Sequence, residues 1–192
     1  MNRKIYGMSE TIDTQEKYWT VDDAILFGNS IEEYRAFSNF AREFEFEWMG
    51  EGVESSENLY QALKFSDNRT LFDEVLMSST PGRAKRLANS LVDSVIPDWT
   101  VLKIEAMQVS LAHKFRAHSA ELLELLENTG KRSIIEVSKY DLFWGVTSSI
   151  GDFYGANVLG QLLVQIRDSP ETIEAFLMKS AKWETRILAS HS

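Results

Sequence analysis

The chain has 192 residues, 44% of them hydrophobic and 26% charged, with no cysteine and a formal net charge of −9. These fractions exclude a disordered or low-complexity polymer, and the missing cysteines exclude disulfide staples, thiolate zinc sites and cysteine nucleophiles. No run approaches about 18 consecutive apolar residues, which excludes a membrane-spanning helix. The acidic balance opposes tight, sequence-independent binding of nucleic acid but leaves room for a local basic patch.

Residues 1–20 are polar and without periodicity, and read as an arm preceding a single domain over 21–190. The arm carries no apolar segment of signal-peptide type, which predicts a cytoplasmic protein. Ala24-Ile25-Leu26-Phe27 reads as a short strand running into the turn Gly28-Asn29-Ser30. Phe44-Glu45-Phe46-Glu47-Trp48 alternates apolar and acidic residues as a half-buried strand does, and Met49–Gly52 turns it into a hairpin with Val53. The pattern then becomes helical. Ser56 is placed to cap a helix from Glu57, and Thr80-Pro81 marks a second start. Pro97-Asp98 opens a long helix to about His118, whose apolar set is too wide for one stripe and predicts a central helix. Leu122–Leu126 is a further helix ending near Gly130, while Ser133–Val137 is an apolar run that periodicity cannot assign. Tyr140–Gly155 reads as one long Gly/Ser/aromatic loop, followed by a helix over 157–167 and a last one from Ser169-Pro170-Glu171 to about Leu188. The sum is an α+β domain, predominantly helical, with a small antiparallel sheet near the N-terminus.

The common catalytic signatures (phosphate-binding glycine loops, a nucleophile elbow, zinc-protease histidines) are missing. His113, His118 and His191 are not spaced to hold a metal and read as structural or surface residues. More informative is the helix from Glu57. At 100° per residue Glu57, Tyr60, Gln61 and Lys64 share one stripe, opposite Leu59, Ala62 and Leu63. That stripe is either a solvated face or a line of acid, phenol, amide and amine presented to a ligand. Asp141 and Trp144, in the Gly/Ser loop, either anchor the loop or grip and act on a flat heterocycle. Trp99 is a core or pocket residue at a helix start, and the turn Phe37-Ser38-Asn39-Phe40 offers hydrogen bonds from Ser38 and Asn39. Arg83, Lys85 and Arg86 form the densest basic cluster, open to reading as a solvated face.

In chain order, FSNF, SSENLYQALKF, PGRAKRLA, PDWTVLKIEAMQVSLAHKF, KYDLFWG and GANVLGQLL resemble the motifs of the NADAR family over about Ile25–Arg167. The family includes N-glycosidases acting on riboflavin-pathway intermediates and hydrolases that remove ADP-ribose from guanine. Carried over by motif, the resemblance implies catalytic roles for Glu57, Lys64 and Asp141. It implies substrate contacts from Phe37, Ser38, Asn39, Tyr60, Arg86, Trp99, Trp144 and Asn157. No cofactor or metal is implied. One departure stands out: WGVTSSIGDFYGANVLG has Val146 where the family often has Asp, with about three extra residues. On that departure the expectation leans to ADP-ribosylated guanine, free or in DNA or RNA, with an ADP-ribosyltransferase toxin as a partner that would supply it. Riboflavin intermediates are the alternative substrate, and a non-catalytic ADP-ribose or NAD reader the alternative class.

The chemistry suits these residue types. Breaking a ribosyl C–N bond passes through an oxocarbenium-like state that a carboxylate stabilises while an acid protonates the departing nitrogen. Glu57 and Asp141 are the candidate pair. Lys64, if desolvated and neutral, could form a Schiff base with the opened sugar. Trp99 and Trp144 would stack on the base and Arg86 would hold phosphate.

Overall fold

The computed structural model describes residues 11–28, 31–149 and 152–190. Asn29, Ser30 and His191 therefore lie outside the described residues. No helix among these residues is long and apolar enough to cross a membrane.

The strands are short and form three separate pieces. β1 (Lys17–Trp19), from the segment before Val21, pairs antiparallel with β7 (Asp152–Gly155), which pairs antiparallel with β6 (Thr147–Ser149). β2 (Ile25–Phe27) runs parallel to β5 (Ile134–Glu136), with Ile25 opposite Ile134. β3 (Phe46–Trp48) and β4 (Glu51–Val53) make the expected hairpin, its turn carried by Met49 and Gly50, both at positive φ. The apolar run that periodicity left open is thus β5, and half of the presumed loop is the β6–β7 hairpin. Both depend on pairing with chain more than a hundred residues away, which local pattern does not encode.

The helices are α1 (Ser56–Leu63), α2 (Arg69–Leu76), α3 (Pro81–Ser90), α4 (Trp99–Ala117), α5 (Ser119–Glu127), α6 (Val158–Asp168), α7 (Thr172–Leu177) and α8 (Ser180–Ala189). α2 had no start signal in the sequence reading, though Asn68 caps it by accepting from the Leu71 N–H, and Phe72, Val75 and Leu76 bury its inner face. Thr80 and Pro81 start α3 as expected. The cap of α1 is Ser55 rather than Ser56: Ser55 Oγ accepts from the Asn58 N–H, while Ser56 Oγ donates to Asn39 Oδ1 at 3.1 Å. The single C-terminal helix expected from Ser169 to Leu188 is broken at Met178–Lys179. α7 packs on α4 and α8 on α2, which one straight helix could not do together. Arg186 of α8 completes the closure by bridging Asp67 and Asp98.

α4 is the central helix. From Ala106 to Phe115 most of it is buried, and α1, α5, α7 and β3 pack around it. A second axis is the contact of α6 with β5. Asn157, in the left-handed region, donates from Nδ2 to the Ile134 carbonyl and accepts at Oδ1 from the Glu136 N–H. Gly160 lies one turn on, where a Cβ would sit 2.0 Å from the Ile134 carbonyl oxygen. This backbone contact admits no side chain, so Gly160→Ala is expected to cost about 2–3 kcal/mol, the upper part of the overpacking range. In a chain of this size that lowers Tm by roughly 5–10 °C. Thermal unfolding followed by circular dichroism checks this, and an unchanged Tm would mean that α6 and β5 are not in fixed contact.

Candidate active site

α1 does not present a solvated face. All eight of its residues are buried, including Glu57 at 4% and Gln61 at 3% exposed. The helix is held by polar side chains at its N-terminal end, where backbone N–H groups need partners. Asn39 gives its carbonyl to the Glu57 N–H at 3.0 Å, and Asn58 Nδ2 donates to the carbonyls of Leu76 and Ser78. The polar stripe faces a cavity of about 400 Å³ whose walls come from α1, α3, α4, the end of β5 and the Ser138–Trp144 segment.

Six of the residues to which the resemblance gives catalytic or substrate roles meet there: Asn39, Glu57, Tyr60, Lys64, Asp141 and Trp144 all line the cavity. Glu57 Oε1 accepts from Gln61 Nε2 at 2.8 Å, while Gln61 Oε1 is buried with no partner among the described residues. Burial pushes the Glu57 carboxyl above the usual carboxylate range, against the opposing pull of Lys85. Burial also pushes the Lys64 ammonium below the usual lysine range, opposed by Glu57. Loss of water thus drives an acid and an amine on one helix, each toward its neutral form. The Tyr60 hydroxyl is raised by burial and by Glu57, so the phenol keeps its proton. The Tyr60 ring is 5.2 Å from that of Trp99 and 5.4 Å from that of Trp144, and Lys64 Nζ lies 5.8 Å from the Tyr60 and Trp99 centroids.

Asp141 and Trp144 form one device. Asp141 Oδ1 accepts from the backbone N–H groups of Phe143 and Trp144, and Ser138 Oγ accepts from the Asp141 N–H. The side chain of Asp141 therefore folds the loop that carries Trp144 into the cavity wall.

The other predicted contacts lie elsewhere. Phe37 is core, edge-on to Phe27 and stacked on Tyr34. Ser38 is buried beneath the cavity, its carbonyl accepting from Lys114 and its hydroxyl from the Phe40 N–H. Trp99 backs Tyr60 and Lys64 without lining the cavity. Arg86 is exposed and absent from the wall, whereas Lys85, one position earlier, lines it together with Asn89. Helical spacing distinguishes the two, because Lys85 falls on the buried stripe of Pro81, Ala84 and Ala88. Asn157 serves β5 and borders a different and larger cavity of about 770 Å³, which contains none of the other predicted residues. His113 meets Ser180 and His118 meets the Glu45 carbonyl, away from the site.

The residue that sequence reasoning missed is Glu136. It ends β5 in the cavity wall, with its carboxyl raised to about 8 by burial and then by Asp141 and Glu57, against Lys85. Its one sequence signal was an acid inside the unassigned apolar run.

The altered stretch after Gly145 forms the β6–β7 hairpin, and none of its described residues lines the cavity.

With the fold and the cavity described, comparison with known proteins identifies the family. The NADAR domain profile matches residues 9–169. The chain belongs to the NADAR family. It is 35% identical over 114 residues to a riboflavin biosynthesis protein of Vibrio vulnificus, covering 59% of this chain and 30% of that protein. It is 31% identical over 114 residues to an N-glycosidase of Nostoc punctiforme, covering 58% of this chain and 70% of that one. The NMR structure of the E. coli protein YbiA superposes with a TM-score of 0.65 at 27% identity, over 79% of this chain and 88% of YbiA. The α+β fold is thus that of the family.

Beneath the site, Lys114 is fully buried and donates from Nζ to the carbonyls of Ala36 and Ser38, fixing the turn that delivers Asn39 to α1. Burial lowers its ammonium from an ordinary value of 10.5 to about 7, with Glu43 opposing. Between those two values the unfolded chain binds more protons than the folded one, so this residue makes stability rise with pH. The stability difference between wild type and Lys114→Met should shift in favour of wild type from pH 7 to 9.5 in urea titrations. A pH-independent difference would show that Lys114 keeps an ordinary ammonium.

Proposed function

We propose that the chain is an N-glycosidase that hydrolyses the bond between C1′ of a ribosyl group and the nitrogen of a heterocycle. One observation carries the reading: an amine and a carboxyl, Lys64 and Glu57 on the α1 wall, face Trp144 in a cavity with room for one sugar and one flat base. The N-glycosidase name of the Nostoc relative supports it. Glu57 and Lys64 work at the sugar. Lys64, driven toward the free amine, attacks C1′ as the C1′–N bond breaks and the base departs with its electron pair; the amine gives up a proton, and ring opening gives an imine that water resolves to the free sugar and the free amine. Asp141, folded against its own loop by two backbone N–H groups, presents its second oxygen to the oxocarbenium-like centre. Trp144 stacks on the base, and Lys85 replaces Arg86 as the group that meets phosphate.

Two substrates fit this description. A ribosylamino-pyrimidine 5′-phosphate of the riboflavin route matches the cavity volume and the name of the Vibrio relative. ADP-ribosylated guanine, supplied by an ADP-ribosyltransferase partner, would leave its ADP half outside the cavity. Lys139 and the exposed Tyr140 offer a basic and aromatic contact for that half at the mouth.

The test is one assay with both compounds, the pyrimidine as its free phosphate and the guanine in a short oligonucleotide. Wild type is expected to release the base from at least one of them. Glu57→Gln should bind that compound within about threefold of wild type and turn it over about 100-fold more slowly or worse. Undetectable turnover of both, with binding retained, would instead make the chain a reader of ribosyl nucleotides.

A further inference from the structure

The site holds one more carboxyl than the reaction above uses. Glu136 enters the cavity from the wall opposite in origin to α1: it closes β5, and its main chain is fixed on both sides. Its N–H donates to Asn157 Oδ1 at 3.0 Å and its carbonyl accepts from the Val146 N–H at 2.8 Å. Its carboxyl, by contrast, makes no hydrogen bond or ion pair to any described residue. The carboxyl lies against the Trp144–Gly145 chain, since a Cβ on Gly145 would stand 3.2 Å from Glu136 Oε2 and 2.6 Å from its carbonyl oxygen. The glycine after Trp144 is therefore space kept for Glu136. The charged groups around it are Asp141 on the loop, Glu57 on α1 and Lys85 on α3. β2 and α6, the neighbours of β5, present none: Phe27 pairs with Glu136, and Asn157 and Gly160 make the α6 side.

This placement divides the cavity by function. Glu57 and Lys64 share α1 and belong with the sugar, whereas Glu136 shares the wall of Trp144 and belongs with the base. Resting on the N-glycosidase reading, we propose that Glu136 is the catalytic acid that protonates the departing nitrogen. As the C1′–N bond breaks, its electron pair stays on nitrogen and the Glu136 carboxyl delivers the proton that neutralises it. The proton lost when Lys64 or water bonds to C1′ returns to the Glu136 carboxylate, so the group is unchanged after each turnover. Burial and two neighbouring acids keep Glu136 protonated at neutral pH, as a proton donor requires.

The experiment compares two leaving groups in wild type and Glu136→Gln. One is the amine of 5-amino-6-ribosylamino-pyrimidinedione 5′-phosphate, or guanine from the ADP-ribosylated oligonucleotide if that is what the wild type cleaves. The other is the pyridine of nicotinamide mononucleotide, which departs neutral and needs no proton. With the first, wild-type kcat/KM should fall above pH about 8. Glu136→Gln should lose about 100-fold in kcat, keep KM within about threefold and lose the alkaline limb. With the pyridinium compound the variant should stay within about threefold of wild type. Equal losses on both leaving groups, or an unchanged alkaline limb in Glu136→Gln, would overturn the role while leaving the glycosidase reading intact. Wild type inactive on every ribosylated compound would remove that reading and this role together. Should the variant not fold, wild type alone decides: an alkaline limb with the amine and none with the pyridinium supports Glu136, and the same limb with both refutes it.

Discussion

Helix α1 is buried along its whole length although half of its surface is polar, and much of the molecule is organised around that fact. Glu57 and Gln61 are buried facing a cavity, and Tyr60 beside them packs against Trp99 and Trp144. A charged group is costly there, so burial raises the Glu57 carboxyl and lowers the Lys64 ammonium, each toward its neutral form. Such an arrangement is destabilising in itself and requires a scaffold that holds it.

That scaffold is visible in the hydrogen bonds of the polar residues around it. Asn58 pins α1 to the end of α2, Asn39 supplies the carbonyl for its first turn, and Lys114 in turn fixes the turn that carries Asn39. On the far wall Asn157 holds β5 in place and Asp141 folds the loop bearing Trp144. Each takes up backbone groups that would otherwise be buried without partners, which is why so many Asn and Ser residues sit in the interior. Glu57 and Glu136 come from segments 79 positions apart, as 136 − 57 gives. Their relation depends on the two packing axes, α1 on α4 and β5 on α6.

How much of this was legible in sequence depended on how local the cause was. The α1 stripe, the Thr80-Pro81 start and the Phe46–Val53 hairpin follow from spacing and turn chemistry within a few residues, and they appear where expected. β5 and β7 owe their form to distant partners, and the 169–188 helix breaks because α7 and α8 face different neighbours. The site divides in the same way. Glu57, Lys64, Asp141 and Trp144 stood out as chemistry-bearing types in motif context. Lys85 was obscured by the more conspicuous Arg86, although the Pro81–Ala84–Ala88 stripe marks its direction. Glu136 gave almost no local signal, because an acid in a short apolar run gains meaning only once Asn157 and Gly145 are placed beside it. Phe37 and Ser38 belong to the same motif as Asn39 but form its foundation.

In the N-glycosidase reading we propose, desolvation on α1 makes Lys64 a nucleophile toward a ribosyl carbon. The most direct measurement of this is borohydride trapping during turnover, with the modified residue located by peptide mass spectrometry. A reduced adduct on Lys64 carrying the ribosyl mass is expected, formed only with substrate and absent in Lys64→Ala, which also loses turnover. Full turnover by Lys64→Ala, with no adduct trapped on the wild type, would contradict it.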